Sequence, residues 1–290
     1  MAGAPLAPQT LPLAPGLYLV STPIGAARDI TLRALDVLAS ADVLAAEDTR
    51  TLRHLMEIHG IAVGDRPLIA CHDHNEAQVS PRIVKAIAEG KSVAYASEAG
   101  TPMVSDPGFP LARAVIAEGL PVTAAPGPSA AICALTLAGL PTDRFLFAGF
   151  APAQKSARRS FLQELAPIPA TLVLYESPKR INQLLEECCE TLGEGRKIAL
   201  CRELTKRFEE VLRGSVAEVR QAICGRDLKG EIVLVIGRGE KVVSDAATVE
   251  AALEKALEEM TVKDAAAAVA EAFGLPRREV YQLALQRGKG

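Results

Sequence analysis

The sequence predicts an α/β protein built as two successive sheet domains with a small helical module after them. Three observations lead there. Short apolar runs rich in Val, Ala and Leu, such as residues 17–20 and 93–96, alternate with longer stretches of helical period. That alternation restarts after a Pro-rich seam at Pro126, Gly127 and Pro128. From about residue 241 strand signals cease and only helical patterns remain. The expected organisation is therefore a loose tail (1–15), a first α/β domain (16–125), a second (126–240) and a helical module (241–290).

Composition narrows the function classes. With 290 residues, 49% of them apolar, the chain can bury a sizeable core, as an enzyme of this size does. A formal charge of −3 excludes a basic coat over the whole surface, so any nucleic-acid contact is regional. The cysteines (Cys71, Cys133, Cys188, Cys189, Cys201, Cys224) show no CxxC spacing and read as reduced, mostly buried thiols of a cytoplasmic protein. Residues 1–15 lack the basic start of a signal peptide. No stretch reaches the roughly 18 apolar residues that a membrane span takes, so no membrane partner is expected.

Taken in order, residues 16–20 read as a first strand. Ser21, Thr22, Pro23, Ile24 and Gly25 make a tight turn, with Asp29 or Thr31 capping the helix that carries Leu32, Leu35 and Leu38. The turn lacks GxGxxG, and Pro23 removes a backbone donor, which speaks against a dinucleotide cradle. Residues 42–46 form a second strand that delivers Glu47, Asp48, Thr49 and Arg50 to the same sheet end. Asp48 and Arg50 are thus site candidates, with a helix cap and surface ion pair as the competing reading.

Residues 67–71 form a third strand. The polar run from His72 to Glu76 after it suits a cap on a helix over 81–88 better than a metal site, because no other His or Cys has matching spacing. Residues 93–96 form a short strand followed by a loop of roughly a dozen residues, where an ordinary β-to-α connection takes about two to six. That loop is dense in Gly, Pro, Ser and Thr and places Glu98, Thr101 and Asp106 at the carboxyl end of the sheet, where open α/β folds bind ligands. Residues 120–124 form the next strand, and the free amides after Pro128, at Ser129 and Ala130, suit a ligand at a helix start.

In the second domain, strands are expected over 145–150, 171–175, 198–201, 208–212 and 231–236, with a basic helix over 154–165 and another through Leu184 and Leu185. Lys155, Arg158 and Arg159 stand at i, i+3 and i+4 and so share one helix face, a candidate phosphate contact with plain solvated surface as the alternative. Tyr175 leads to Glu176, Ser177, Pro178 and Lys179 at a strand end. Helices over 249–260, 262–273 and 276–286 resemble a helix-turn-helix with Arg277 and Arg278 on its last helix, set to grip RNA phosphates or merely to pack.

Six blocks in order, Ser21 to Gly25, Glu47 to Arg50, Ser97 to Gly108, Pro126 to Ala130, Tyr175 to Pro178 and Gly230 to Gly237, resemble the ribosomal-RNA branch of the tetrapyrrole-methylase-like, class III S-adenosylmethionine methyltransferases. The resemblance implies two α/β domains of the tetrapyrrole methylase type with S-adenosyl-L-methionine folded between them, a homodimer, and 2′-O-ribose methylation of a cytidine in the decoding region of 16S rRNA in the small ribosomal subunit. Carried over by position, Pro23, Ala99, Gly100, Thr101, Val104, Ser129, Ala130, Tyr175, Glu176 and Leu204 are its cofactor residues. This chain departs from the pattern at Glu98, where the family carries Asp, at Ala26, where it carries Asn, and at Lys179, where His is frequent.

The methyl donor is already activated, so the protein's task is to position a ribose hydroxyl in line with it and exclude water. Asp48 or Glu98 is the expected proton acceptor, and Arg50, Lys155, Arg158, Arg159, Lys179, Arg277 and Arg278 the expected substrate anchors. No metal is expected. The competing readings are a small-molecule tetrapyrrole methyltransferase and a non-catalytic RNA-binding or ribosome-assembly protein.

Overall fold

Five strands of the first half form one parallel sheet: β1 (Gly16–Val20), β2 (Val43–Ala46), β3 (Leu68–Ala70), β4 (Ser92–Ala96) and β5 (Val122–Ala125), in the order 3-2-4-1-5. The structure, a computed structural model, describes residues 7–239, 246–273 and 275–287. The strands are short and almost wholly apolar because both faces are covered. Leu17, Leu19, Val43, Ala45, Val93 and Tyr95 face α3 (Glu76–Ala88) and α4 (Phe109–Ala117). Val20, Leu44, Ala46, Ala94 and Ala96 face α1 (Leu32–Ser40) and the start of α2 (Thr49–Ile58). Because each buried Leu or Val contributes about 1.5–3 kcal/mol, and a one-residue slip would exchange the two faces, the register is strongly specified.

Local signals set the helix starts. The Thr31 hydroxyl accepts from Ala34 N at 3.2 Å and begins α1, and Asp48 accepts from Arg50 N at 2.7 Å and begins α2. The third helix departs from expectation, since it begins at Glu76 rather than at Pro81. The Glu76 carboxylate is buried and accepts from Leu111 N at 2.9 Å, so the first turn of α3 is drawn onto α4. Pro81 removes one backbone donor inside that helix, while the Ser80 hydroxyl donates to the Glu76 carbonyl at 2.7 Å. Residues 9–14 are not the loose tail expected for 1–15. Gln9 N donates to Asp36 and Leu11 N to Ser40 Oγ, and the Tyr18 hydroxyl donates to the Ala14 carbonyl; residues 1–6 lie outside the described residues.

The second sheet contains β6 (Phe145–Phe150), β7 (Thr171–Glu176), β8 (Lys197–Arg202), β9 (Glu210–Ser215) and β10 (Ile232–Ile236), ordered 6-7-10-8-9. Only β6 and β7 run parallel. One face packs on α6 (Lys155–Leu165), α7 (Ile181–Leu192) and α8 (Val216–Ile223) through Leu162, Leu172, Leu174, Leu184, Leu200, Val219 and Leu234. The other packs on α5 (Ala130–Leu137) through Val173, Ala199, Val233 and Val235, and Ile24 of the first turn joins that cluster. Helix α8 goes beyond the expected pattern, yet its start is a capping box: Ser215 Oγ accepts from Glu218 N while Glu218 accepts from Ser215 N.

Both sheets belong to one compact unit, Met1–Arg238; Gly239–Gly290 forms a second. In that second unit α9 (Ala246–Glu259), α10 (Val262–Phe273) and α11 (Arg277–Arg287) share their own core of Val249, Leu253, Ala265, Val269, Val280 and Ala284, and Arg277 and Arg278 are exposed. Among the described residues no helix is long and apolar enough to cross a membrane.

One sequence expectation fails outright. Arg158 does not share an exposed face with Lys155 and Arg159; its side chain is 3% exposed and forms a bidentate ion pair with the equally buried Glu187 of α7. Its Nη1 donates to the carbonyls of Pro152 and Ala153. It clamps α6 to α7 and is unavailable to phosphate. Removing one member of such a pair strands a buried charge, which costs about 3–5 kcal/mol. Arg158→Met is therefore expected to lower the unfolding free energy by about that amount, whereas Arg159→Met, which breaks only the exposed pair to Glu190, is expected to cost under about 1 kcal/mol; denaturant titration of both variants checks this.

Candidate functional site

The strand order itself points to the site. β1 and β4 are neighbours at the centre of the parallel sheet, but the chain leaves β1 toward β2 on one side and leaves β4 toward β5 on the other. The crevice outside their carboxyl ends is a topological switch point, the place where open α/β sheets take ligands. Three loops meet there, after β1, β4 and β5.

Backbone and hydroxyl bonds stitch these loops together. Thr22 and Gly100 exchange both backbone bonds, N to O at 2.9 and 3.0 Å, an isolated antiparallel bridge across the switch point. The Thr22 hydroxyl donates to the Ser97 carbonyl, Ser21 Oγ to Thr101 Oγ1, and Thr101 Oγ1 to the Pro128 carbonyl at 2.9 Å. Gly100 sits at φ 82°, a left-handed conformation that glycine adopts without strain. The second domain closes the other side. Its β6–β7 ladder shifts register between Phe147 and Gly149, and a Cβ at Gly149 would lie 3.7 Å from Ser105 Oγ of the β4 loop. The Tyr175 hydroxyl accepts from Ala131 N at 3.2 Å, and the Thr205 hydroxyl from Ala26 N at 3.1 Å.

Between these parts lies a pocket of about 340 Å³, within the range of small-molecule sites. Ile24, Val104, Ala130, Phe150 and Val233 give it apolar walls, and Asp106, Glu176 and Glu231 are its carboxylates. Phe150 is 56% exposed and stands edge-on to Tyr175, ring centroids 5.6 Å apart, offering a flat ring to a planar ligand. The four non-glycine residues at positive φ among the described residues, Met103, Ser105, Glu203 and Thr205, all fall in two loops: one walls this pocket and the other contacts the first turn. Such strain collects where the surrounding structure holds a ligand site in shape.

The charge at the carboxyl end of the first sheet is acidic. Loss of solvent raises the Asp106 carboxyl to about 7, with Glu47, Glu98, Asp73 and Glu231 adding repulsion. Burial likewise raises Glu47, with Glu98 next in effect. A positively charged ligand would relieve this repulsion, and the apolar walls suit one with apolar surface. Among the described residues no group of three or more His, Cys, Asp or Glu is placed to hold a metal.

Of the residues expected at the cofactor, Ala99, Gly100, Thr101, Val104, Ser129, Ala130, Tyr175 and Glu176 line the pocket. Pro23 does not; its neighbour Ile24 does, because the Thr22–Gly100 bridge turns that residue inward. Leu204 is buried in the same apolar cluster as Ile24 and stands behind the wall. Asp48 lies outside the lining and is fully engaged: Arg50 bonds both its oxygens, and those bonds hold its carboxyl down at about 2. Arg50 itself is 90% exposed. Glu98 points to solvent outside the pocket. Lys179 is exposed directly after the lining residues Ser177 and Pro178 and makes no ion pair among the described residues. Phe150 and Gly230 to Val233 enter the wall unanticipated as ligand contacts. A signal existed for Phe150, since it ends a strand parallel to the one that delivers Tyr175.

Residues 16–220 match the family model described as Tetrapyrrole (Corrin/Porphyrin) Methylases, and residues 243–288 match that of the RsmI C-terminal HTH domain. The ribosomal RNA small subunit methyltransferase I of Mesorhizobium japonicum is 44% identical over 276 residues, covering 95% of this chain and 93% of that protein. Among solved structures, a uroporphyrin-III-C-methyltransferase from Thermus thermophilus is 25% identical with a TM-score of 0.55, covering 77% of this chain and 94% of that one. A uroporphyrin-III C-methyl transferase from the same organism, complexed with S-adenyl homocysteine, is 18% identical with a TM-score of 0.53, covering 77% and 97%.

The switch-point bridge makes Gly100 sensitive although space surrounds it. A Cβ there meets nothing closer than Ile24 at 3.5 Å, so the cost of Gly100→Ala is conformational, about 1–2 kcal/mol for an L-residue held left-handed. Urea titration is expected to show that loss as a lower midpoint with an unchanged slope.

Proposed function

Because the chain belongs to the tetrapyrrole methylase family, we propose that it transfers a methyl group from S-adenosyl-L-methionine to the ribose 2′-hydroxyl of a cytidine in the decoding region of 16S rRNA, working as a homodimer on the small ribosomal subunit. One observation carries this reading: a switch-point pocket with apolar walls and an acidic rim stands in the same chain as a C-terminal unit of the RsmI type. The curated relative with 44% identity bears the name of a ribosomal RNA small subunit methyltransferase, and a fold neighbour is complexed with the demethylated form of the cofactor.

The cofactor supplies a methyl group on a positively charged sulfur. The chain's own residues do the rest by binding and orientation. Gly100 offers bare backbone, Ile24, Val104 and Val233 exclude water, and Ser129 and Ala130 present the start of α5. Glu176 holds the β7 end in shape, because its carboxylate accepts from Arg180 Nε at 2.7 Å and from Ser177 N at 2.7 Å. Lys179, exposed directly after the lining residue Pro178, is the proposed contact for an RNA phosphate, with Lys155, Arg159 and Arg50 as further proposed contacts; the C-terminal unit exposes Arg277 and Arg278 of its own. The acidic cluster at the first sheet would repel RNA on its own, so these cations have to offset it.

Incubating hypomethylated small subunits with methyl-labelled cofactor is the direct test. Label in a nucleotide that resists alkaline cleavage supports ribose methylation; label accepted only by a tetrapyrrole, or cofactor affinity absent by calorimetry, overturns it. Lys179→Ala is expected to raise the apparent KM for subunits about three- to tenfold and to flatten its salt dependence, as loss of one phosphate contact does. The affinity for S-adenosyl-L-methionine, measured separately, is expected to stay unchanged.

A further inference from the structure

We infer that Asp106 is the general base of this transfer, accepting the proton of the attacking ribose hydroxyl on a carboxylate oxygen; the inference rests on the reading of the pocket given above. Three carboxylates line the cavity. Glu176 is committed, its oxygens bonded to Arg180 Nε and Nη2 at 2.7 and 3.0 Å and to Ser177 N. Glu231 is 74% exposed and paired with Lys206 Nζ at 3.1 Å. Asp106 alone faces the cavity half-buried and without a hydrogen bond or ion pair among the described residues. The acceptors expected from the sequence fall away for opposite reasons: Asp48 is saturated by Arg50, and Glu98 stands in solvent outside the wall.

The backbone aims this carboxylate firmly. Val104 N donates to the Thr101 carbonyl at 3.2 Å, which closes the loop just before Asp106. Just after it, Gly108 lies so close to Tyr95 that an added Cβ would meet Cε1 at 2.9 Å. Pro107 between them is buried. The loop is therefore pinned at both ends with Asp106 on its inner side.

The step balances without another reagent. The 2′-oxygen gives an electron pair to the methyl carbon, the carbon–sulfur bond breaks with its pair moving to sulfur, and the hydroxyl proton passes to an Asp106 oxygen and then to water. A base suited to this task holds and sheds a proton near neutrality. Every charged group bearing most strongly on Asp106 is acidic: Glu47 after β2, Asp73 after β3, Glu98 after β4 and Glu231 before β10. The phenols of Tyr95 and Tyr175 also feel its charge. Loss of solvent, with the repulsion of those four carboxylates, raises the Asp106 carboxyl to about 7.

The sign for stability follows. A carboxylate raised on folding gives stability that is complete below its unfolded value, about 3.9, and is lost as the pH climbs through about 7.

The test compares the full-length wild type with Asp106→Asn and Asp106→Ala. Calorimetry with S-adenosylhomocysteine is expected to give affinities within about threefold of wild type, while single-turnover methyl transfer to hypomethylated small subunits falls about 10²–10⁴-fold in both variants. The wild-type rate is expected to rise with pH through about 7, a limb the variants lack. Independently of activity, wild-type melting temperature is expected to drop between pH 4 and pH 8 by more than that of Asp106→Asn, which should be the more stable protein at pH 8. Either variant keeping its rate within threefold, or identical pH dependence of melting in wild type and Asp106→Asn, overturns the inference while leaving the proposed function standing. A wild type that binds the cofactor and leaves every ribose unmethylated overturns both.

Discussion

The exchange of two backbone hydrogen bonds between Thr22 and Gly100 is the constraint on which the site depends. It ties the loop after β1 to the loop after β4 at the one point where the parallel sheet changes direction. Without it the β4 loop, several residues longer than a usual connection, would have no reason to hold one shape. With it, Ile24 turns into the pocket, Thr101 reaches the Pro128 carbonyl, and the start of α5 is placed against the same cavity. These are modest bonds, about 1 kcal/mol each, but they are buried, and leaving any of their polar groups unpaired would cost more than the bond contributes.

The second domain supplies the opposite wall by a different means. Its mixed sheet meets the first domain at loops whose backbone is strained: Ser105 lies close to the Gly149 bulge, and the Thr205 hydroxyl accepts from Ala26 N. Gly25 permits the latter approach, because a side chain there would lie within 2.6 Å of Thr205 and Lys206. Left-handed backbone at Met103, Ser105, Glu203 and Thr205 costs of order 1–3 kcal/mol each. The two well-packed cores on either side of the second sheet, and the parallel sheet opposite, are large enough to hold that strain. The result is a cavity whose shape is set before any ligand arrives.

Electrostatics give that cavity its character. Acidic side chains gather where β2, β3 and β4 end, and Asp48 is the one among them whose charge is fully met by a neighbouring cation. Such an arrangement lowers stability as carboxylates ionise, and a cationic ligand would relieve it. The RNA partner has the opposite requirement. The proposed phosphate contacts need cations, and Lys179 and Arg159 of the second domain, like Arg277 and Arg278 of the C-terminal unit, are exposed.

The sequence alone determined where most strands and helices lie, because each is short, apolar on a readable period and bounded by Gly, Pro or a capping side chain. Thr31, Asp48 and the break at Pro126 to Pro128 were local signals of this kind, and the clustered Gly and Pro after β4 marked the ligand loop. Eight of the ten residues that the family resemblance assigned to the cofactor line the pocket. Only the tertiary structure decided which charges are free. Arg158 finds Glu187 29 residues away and is buried, Glu76 finds Leu111 N 35 residues away and starts its helix early, and Asp106 finds no hydrogen-bond or ion-pair partner among the described residues. Period and spacing report the side of an element that is covered, but whether a charged group there meets a counter-charge depends on chain segments far apart in sequence, whose distance only folding sets.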